Sequence, residues 1–263
     1  VLLLLKKFII SEKKDNLIFN CMKNILCTTF LFCLISTQCF SQNQYNSLEG
    51  KKILVVYGGW AGHQPKYFAD KISSWLKTQN TNVILSDSTS VYTNEKLMNE
   101  LDLIIQHITM SKITDDQLNG LLKAVKNGTG LAGCHGGLGD SFRNNTEYQY
   151  MIGGQFVKHP GGQVNYRVTI ENRKDSITRG IKDFNIFSEQ YYMHVDPALD
   201  VLATTTFSEK YDPWIKGVII PVVWKKKYGK GKIFYNSIGH SKQDYNIPEV
   251  WTLIKRGVIW ATK

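Results

Sequence analysis

The chain has 263 residues, 32 Lys and Arg against 22 Asp and Glu, six histidines, and a formal charge of +10. The base is spread along the chain, and its one concentration, Lys225-Lys226-Lys227 with Lys230 and Lys232, flanks Tyr228-Gly229 between two strand-like runs. That pattern predicts a solvated hairpin tip. A nucleic-acid binder would need a basic face interleaved with aromatics, so that partner class is set aside.

The first methionine is Met22, followed by Lys23, an apolar run from Ile25 to Ile35, and Cys39-Phe40-Ser41. A charged start, a short apolar run and small residues near its end describe a secretory signal peptide cut after Ser41. The run is shorter than the ~18 residues a membrane span needs. This reading makes residues 1–21 upstream sequence translated in frame, 22–41 the signal, 42–50 a polar linker and 51–263 one domain. The protein would be exported, periplasmic, and free of the membrane after cleavage. Cleavage would remove Cys21, Cys27, Cys33 and Cys39 and leave Cys134 alone, so no internal disulfide could form. It would also remove five lysines, one Glu and one Asp, leaving 27 basic and 20 acidic residues, a charge of +7.

Ile53 to Tyr57 is a continuous apolar run, as expected of a strand buried on both faces. Pro65 opens a helix with Phe68, Ile72, Trp75 and Leu76 on one stripe. Asn82–Leu85 and Asp102–His107 read as further strands. Thr114 with Gln117 predicts a capping box, Leu118, Leu121, Leu122 and Val125 a buried helix face, and Gly128 its end. Thr129–Ala132 is then a strand that delivers Cys134 and His135 at its carboxyl end. Alternating strands and helices predict a parallel sheet covered on both faces.

Beyond Gly162 the strand-like runs 164–170, 185–192, 201–207, 218–224 and 232–238 lack intervening helices. They predict an antiparallel extension and a closing hairpin. Pro248 starts a last helix facing inward through Val250, Leu253, Ile254 and Val258.

Chemistry concentrates in Gly130–Arg143 and Met151–Gly162, where glycine-lined turns hold Cys134, His135, Asp140, Arg143, Gln155 and His159. Glycine at this density lets backbone approach a ligand closely. Five of the six histidines (His63, His135, His159, His194 and His240) lie beside glycine, proline or an acid. Ligands of open α/β sheets bind outside the carboxyl ends of the strands, which brings His63 and His135 to one rim. His107 falls inside a strand and reads as structural.

Cys134 at a strand-to-helix turn permits a nucleophile, and His194-Val195-Asp196 could supply a relay. Ala132 stands where a nucleophile elbow at Cys134 would want glycine, so a packed, unreactive thiol is expected. A divalent ion held by His, Glu and Asp is another option. No His-x-x-x-His or Cys-x-x-Cys spacing is present, so distant loops would have to assemble such a site. In 188–197, Glu189, Tyr191 and Met193 should share one strand face, and Gln190, Tyr192 and His194 the other. Aromatic faces beside acid and amide groups suit a sugar ring.

Several stretches together resemble the ThuA (trehalose utilisation) family of the class I glutamine amidotransferase-like superfamily. They are Gly58-Gly59-Trp60-Ala61-Gly62-His63-Gln64-Pro65, Gly130–Arg143, Glu147–Gly162, Glu189–Pro197, Pro221-Val222-Val223-Trp224 and Gly229–His240. The resemblance implies a flavodoxin-like α/β fold, with a parallel sheet flanked by helices. It also implies processing of sugars, often disaccharides or 3-keto derivatives. The superfamily's Cys-His-Glu triad is not matched, since Ala132 and Asp196 depart from it.

The resulting expectation is an exported enzyme acting on glycosides or 3-keto-sugars through isomerisation, elimination or hydrolysis. His135 is the expected base, His63 or His240 the acid, and Glu189 and His194 assist. Trp60, Asp140, Arg143, Gln155, His159, Tyr191 and Tyr192 are the expected sugar contacts. A silent sugar-binding protein and a cysteine-dependent amidase are the rivals. A small-molecule sugar is the expected partner, and no cofactor is assigned, with a divalent ion left open.

Overall fold

The computed structural model describes residues 47–263; the expected leader and signal segment, residues 1–41, lie outside it. Four parallel strands come first: β1 (Lys52–Gly59), β2 (Asn82–Ser86), β3 (Leu103–Thr109) and β4 (Gly130–Cys134). Then come β5 (Gly154–Lys158), β6 (Gln163–Ile170), β7 (Phe184–Glu189), β8 (Tyr192–Val195), β9 (Asp200–Thr206), β10 (Ile219–Tyr228) and β11 (Gly231–Asn236). Nine of them form one sheet in the order β2-β1-β3-β4-β11-β10-β9-β6-β7, while β5 and β8 make a separate ribbon. β11 runs parallel to β4 and antiparallel to β10. The closing hairpin therefore joins the parallel half to the antiparallel half.

Helices cover both faces. α1 (Pro65–Lys77) and the last helix, α6 (Pro248–Ala261), share a core with Ile53 and Val55 of β1. α3 (Asp115–Asn127) packs on the opposite face with Leu54 and Val56. The alternation along β1 thus sorts its side chains between two cores. Each fully buried Leu or Ile among them contributes roughly 1.5–3 kcal/mol. α3 has the expected capping box of Thr114 and Gln117, and Gly128 ends it at φ 123°. Among the described residues, no helix is long and apolar enough to cross a membrane.

Three short helices carry too little periodicity to be read in advance: α2 (Glu95–Glu100), α4 (Gly136–Gly139) and α5 (Thr146–Ile152). The run 185–192 is two strands, not one. Gln190 Nε2 donates to Thr205 Oγ1 at 2.8 Å, and the chain there leaves β7 to form β8 against β5.

The basic turn also differs from expectation. Lys225 and Lys226 are each 9% exposed on β10. Lys225 pairs with Asp175 and Asp200, and Lys226 with Asp196 at 2.6 Å. Asp175, Asp196 and Asp200, the last on the neighbouring strand β9, draw these ammonium groups under the surface, and the wet tip starts only at Lys227.

Candidate active site

The chain bends sharply at the end of β4. His135 has φ 50° and ψ −144°, a conformation costly for any residue with a Cβ. It is the apex of Gly133-Cys134-His135-Gly136-Gly137, the glycine spacing of a nucleophile elbow. A Cβ at Gly133 would lie 2.7 Å from the Gln106 carbonyl, and one at Gly137 2.3 Å from His107 Nδ1. With His135 at the apex, the glycine that an elbow requires is Gly133, so Ala132 is no obstacle to one.

Three contacts fix the residue. Its N–H donates to the Asn236 carbonyl at 2.7 Å, its carbonyl accepts from Tyr235 Oη at 3.1 Å, and its Nδ1 donates to the Ser237 carbonyl at 2.8 Å. Since that carbonyl can only accept, the imidazole proton sits on Nδ1 and Nε2 carries the lone pair. Nε2 lies 3.0 Å from Glu189 Oε2 and 2.8 Å from Tyr191 Oη. Burial pushes His135 down to about 4, against the pull of Glu189.

Glu189, the last residue of β7, gathers the site. Its Oε2 is 3.0 Å from His135 Nε2, 3.2 Å from His240 Nδ1 and 3.8 Å from His63 Nε2. Its other oxygen, Oε1, is 3.7 Å from His159 Nε2. Burial alone would raise this carboxyl, but the imidazoles gathered round it, His240 and His63 among them, outweigh it and hold Glu189 well below the usual carboxylate range. His63 belongs to the turn after β1, and its Nδ1 meets Thr109 Oγ1 at 3.0 Å. His240 follows β11, and its backbone N–H donates to Asp244, which also accepts from Ser188. The His240 Nδ1 is buried beside Glu189 but off line for a hydrogen bond.

Other expected residues form the rim. Trp60 is 45% exposed and meets His63 edge-on, with 4.7 Å between ring centroids. Asp140 is buried and holds Arg143 through two hydrogen bonds, of 2.5 and 2.8 Å. The guanidinium lies 5.5 Å from the Phe156 ring, which packs on Tyr191. Asp140 thus presents Arg143 and does not itself face a ligand.

His194 and Tyr192 lie elsewhere. His194 is exposed on β8 opposite Gln155, and Tyr192 packs on Phe207. Asp196 is taken by Lys226, so no His194–Asp196 relay assembles. Cys134 is fully buried, 3.7 Å from both His107 Nδ1 and Tyr245 Oη, and burial pushes its thiol up to about 12. Such a thiol is no nucleophile. Thr109, Asp244 and the Ser237 carbonyl were not singled out from sequence. Thr109 ends a parallel strand, so the rule that pointed to His63 and His135 could also have found it.

The model of the family described as trehalose utilisation, ThuA, matches residues 52–261. The chain belongs to the ThuA family. A solved ThuA-like structure from Bacteroides uniformis is 17% identical, with a TM-score of 0.65 over 82% of this chain and 93% of that one. Another, from Parabacteroides merdae, is 16% identical, with a TM-score of 0.64 over 81% of this chain and 90% of that one. Those identities show the shared fold alone: a mostly parallel, helix-flanked first half and an antiparallel second half. No curated protein matches the chain.

Proposed function

We propose that this ThuA-family chain is an exported enzyme that processes glycosides or 3-keto-sugars by removing a proton from carbon. The observation that carries this reading is the convergence of four histidines, from four separate loops, on the one carboxylate of Glu189. The family description supports a sugar as substrate class. The half-exposed Trp60 and the anchored Arg143 at the rim suit a ring with apolar faces and hydroxylated edges. Export rests on the Met22–Ser41 pattern alone.

His135 is less suited than His159 to the role of base. His135 is fully buried, with Nε2 turned to Glu189 and Tyr191, whereas the His159 side chain is 41% exposed although its Nδ1 is buried. With Nδ1 buried, His159 Nε2 is the nitrogen left to act as base, and Glu189 Oε1, 3.7 Å away, stabilises the imidazolium that forms. A ketone at C3 acidifies the C2 proton. His159 takes that proton, the C–H electron pair forms the C2–C3 enolate, and the charge rests on the C3 oxygen. The enolate then expels the C1 substituent with its bonding pair, and the departing oxygen takes the proton held by His159. Return of the proton to C2 gives isomerisation, and addition of water to the enone completes hydrolysis.

Proton NMR of the full chain with 3-keto-glucosides in D2O tests this. Deuterium at C2 or release of the aglycone is the expected result. His159→Ala should slow it by about 10²–10⁴-fold while ligand binding persists. An unchanged spectrum with the ligand bound would instead make the protein a sugar binder.

A further inference from the structure

We infer that His63, His135, Glu189 and His240 form a binding site for one divalent transition-metal ion, with zinc as the reference ion. The inference deepens the sugar reading, on which it rests for the ion's role but not for its binding.

The four side chains each offer one ligand atom, and these atoms lie within 4.8 Å of one another. Three imidazole nitrogens surround a single oxygen, Glu189 Oε2, at 3.0, 3.2 and 3.8 Å. Ligand atoms about 2 Å from a shared zinc ion stand roughly 3–3.5 Å apart in a tetrahedral shell, so small movements would close this ring on a cation.

The protons argue the same way. Ser237 holds a proton on His135 Nδ1, so Nε2, 3.0 Å from Glu189 Oε2, is the nitrogen turned towards the shared oxygen. Tyr191 Oη also lies 2.8 Å from Nε2, and the two rings stack, 4.1 Å between centroids and 28° apart. His240 Nδ1 is buried beside the same oxygen with no hydrogen bond. A cation placed among these atoms would meet His135 Nε2, His240 Nδ1 and the carboxylate oxygen together.

The outer contacts have the form that metal-ligating histidines require. His135 is held through its remote nitrogen by a backbone carbonyl and His63 by the Thr109 hydroxyl. Three nitrogens and one carboxylate suit zinc, cobalt or nickel over magnesium or calcium, which take oxygen ligands. His159 faces the other carboxylate oxygen and stays outside the ring, free for proton transfer. A bound ion would supply a Lewis acid for the C3 carbonyl of a keto-sugar.

The test uses the full chain, stripped with chelator and titrated with Zn²⁺ by calorimetry and with Co²⁺ by visible absorption. Cys21, Cys27, Cys33 and Cys39 also offer sulfur ligands, so the readout is the ion lost on substitution together with a cobalt spectrum free of thiolate charge transfer. One ion per chain should be lost or weakened about 100-fold in Glu189→Gln and His240→Ala, about 10-fold in Thr109→Val, and unchanged in His194→Ala. Failure of the folded wild type to take up either ion overturns the inference, as does wild-type affinity in both Glu189→Gln and His240→Ala. The two readings separate cleanly. Sugar turnover by a chain that takes up no ion defeats the metal site and keeps the enzyme, while ion uptake without any sugar chemistry does the reverse.

Discussion

Cys134 and His135 are neighbours in the chain, but they face two regions that share residue types and differ in every other respect. Beneath the sheet end, Cys134 sits with His107, Tyr245 and Phe68 in a closed layer. There burial holds both titratable groups neutral, pushing His107 down to about 3 and Cys134 up to about 12. Above it, His135 meets three other histidines around Glu189, with an open rim of Trp60 and Arg143. A buried histidine is packing material where it stacks on Phe68, and chemistry where a carboxylate shares the space. The carboxylate, more than the histidine, marks the site.

Adjacent glycines offer a direct way to separate the two regions. A Cβ on Gly136 would fall 2.6 Å from the His63 ring, on the crevice side. Gly136→Ala should displace that ring and cut sugar turnover by about 100-fold, the usual consequence of a misplacement near 1 Å. A Cβ on Gly137 would fall 2.3 Å from His107 Nδ1, in the closed layer. Gly137→Ala should therefore register as overpacking, a loss of about 1–3 kcal/mol in denaturant unfolding. If Gly137→Ala removed activity without lowering stability, the division between the regions would fail.

The smallest effect is expected at the thiol. Cys134→Ala should cost about 1 kcal/mol of stability and leave turnover intact, and the folded chain should resist alkylation at Cys134. Rapid loss of activity on alkylation, traced by peptide mapping to Cys134, would return the thiol to the mechanism.

Much of the first half was legible in the sequence because its signals are local. The apolar run at Ile53, the capping box at Thr114 and the glycine at 128 each act within one turn or strand. The glycine-flanked histidines could likewise be picked out by their neighbours. What spacing does not encode is which of them meet. His63, His135, His159 and His240 share Glu189 only because β1, β4 and β11 lie close together and β7 arrives from the far half of the sheet. His194, marked in the sequence by the nearby Asp196, is exposed instead, since the chain changes sheets at Gln190. Lys225 and Lys226 were misread for a related reason: Asp175, Asp196 and Asp200 are remote from them in the chain.

The placement of β11 also bears on how the molecule is made. β4 is interior to the finished sheet, but one of its two neighbours, β11, is the last strand to leave the ribosome. Until residues 231–236 emerge, one side of β4 is an unpaired edge in a buried, apolar part of the sheet. Such an edge can recruit a strand from another nascent chain. The strand that closes it also brings His240 to Glu189, so completion of the sheet and assembly of the crevice are one late event.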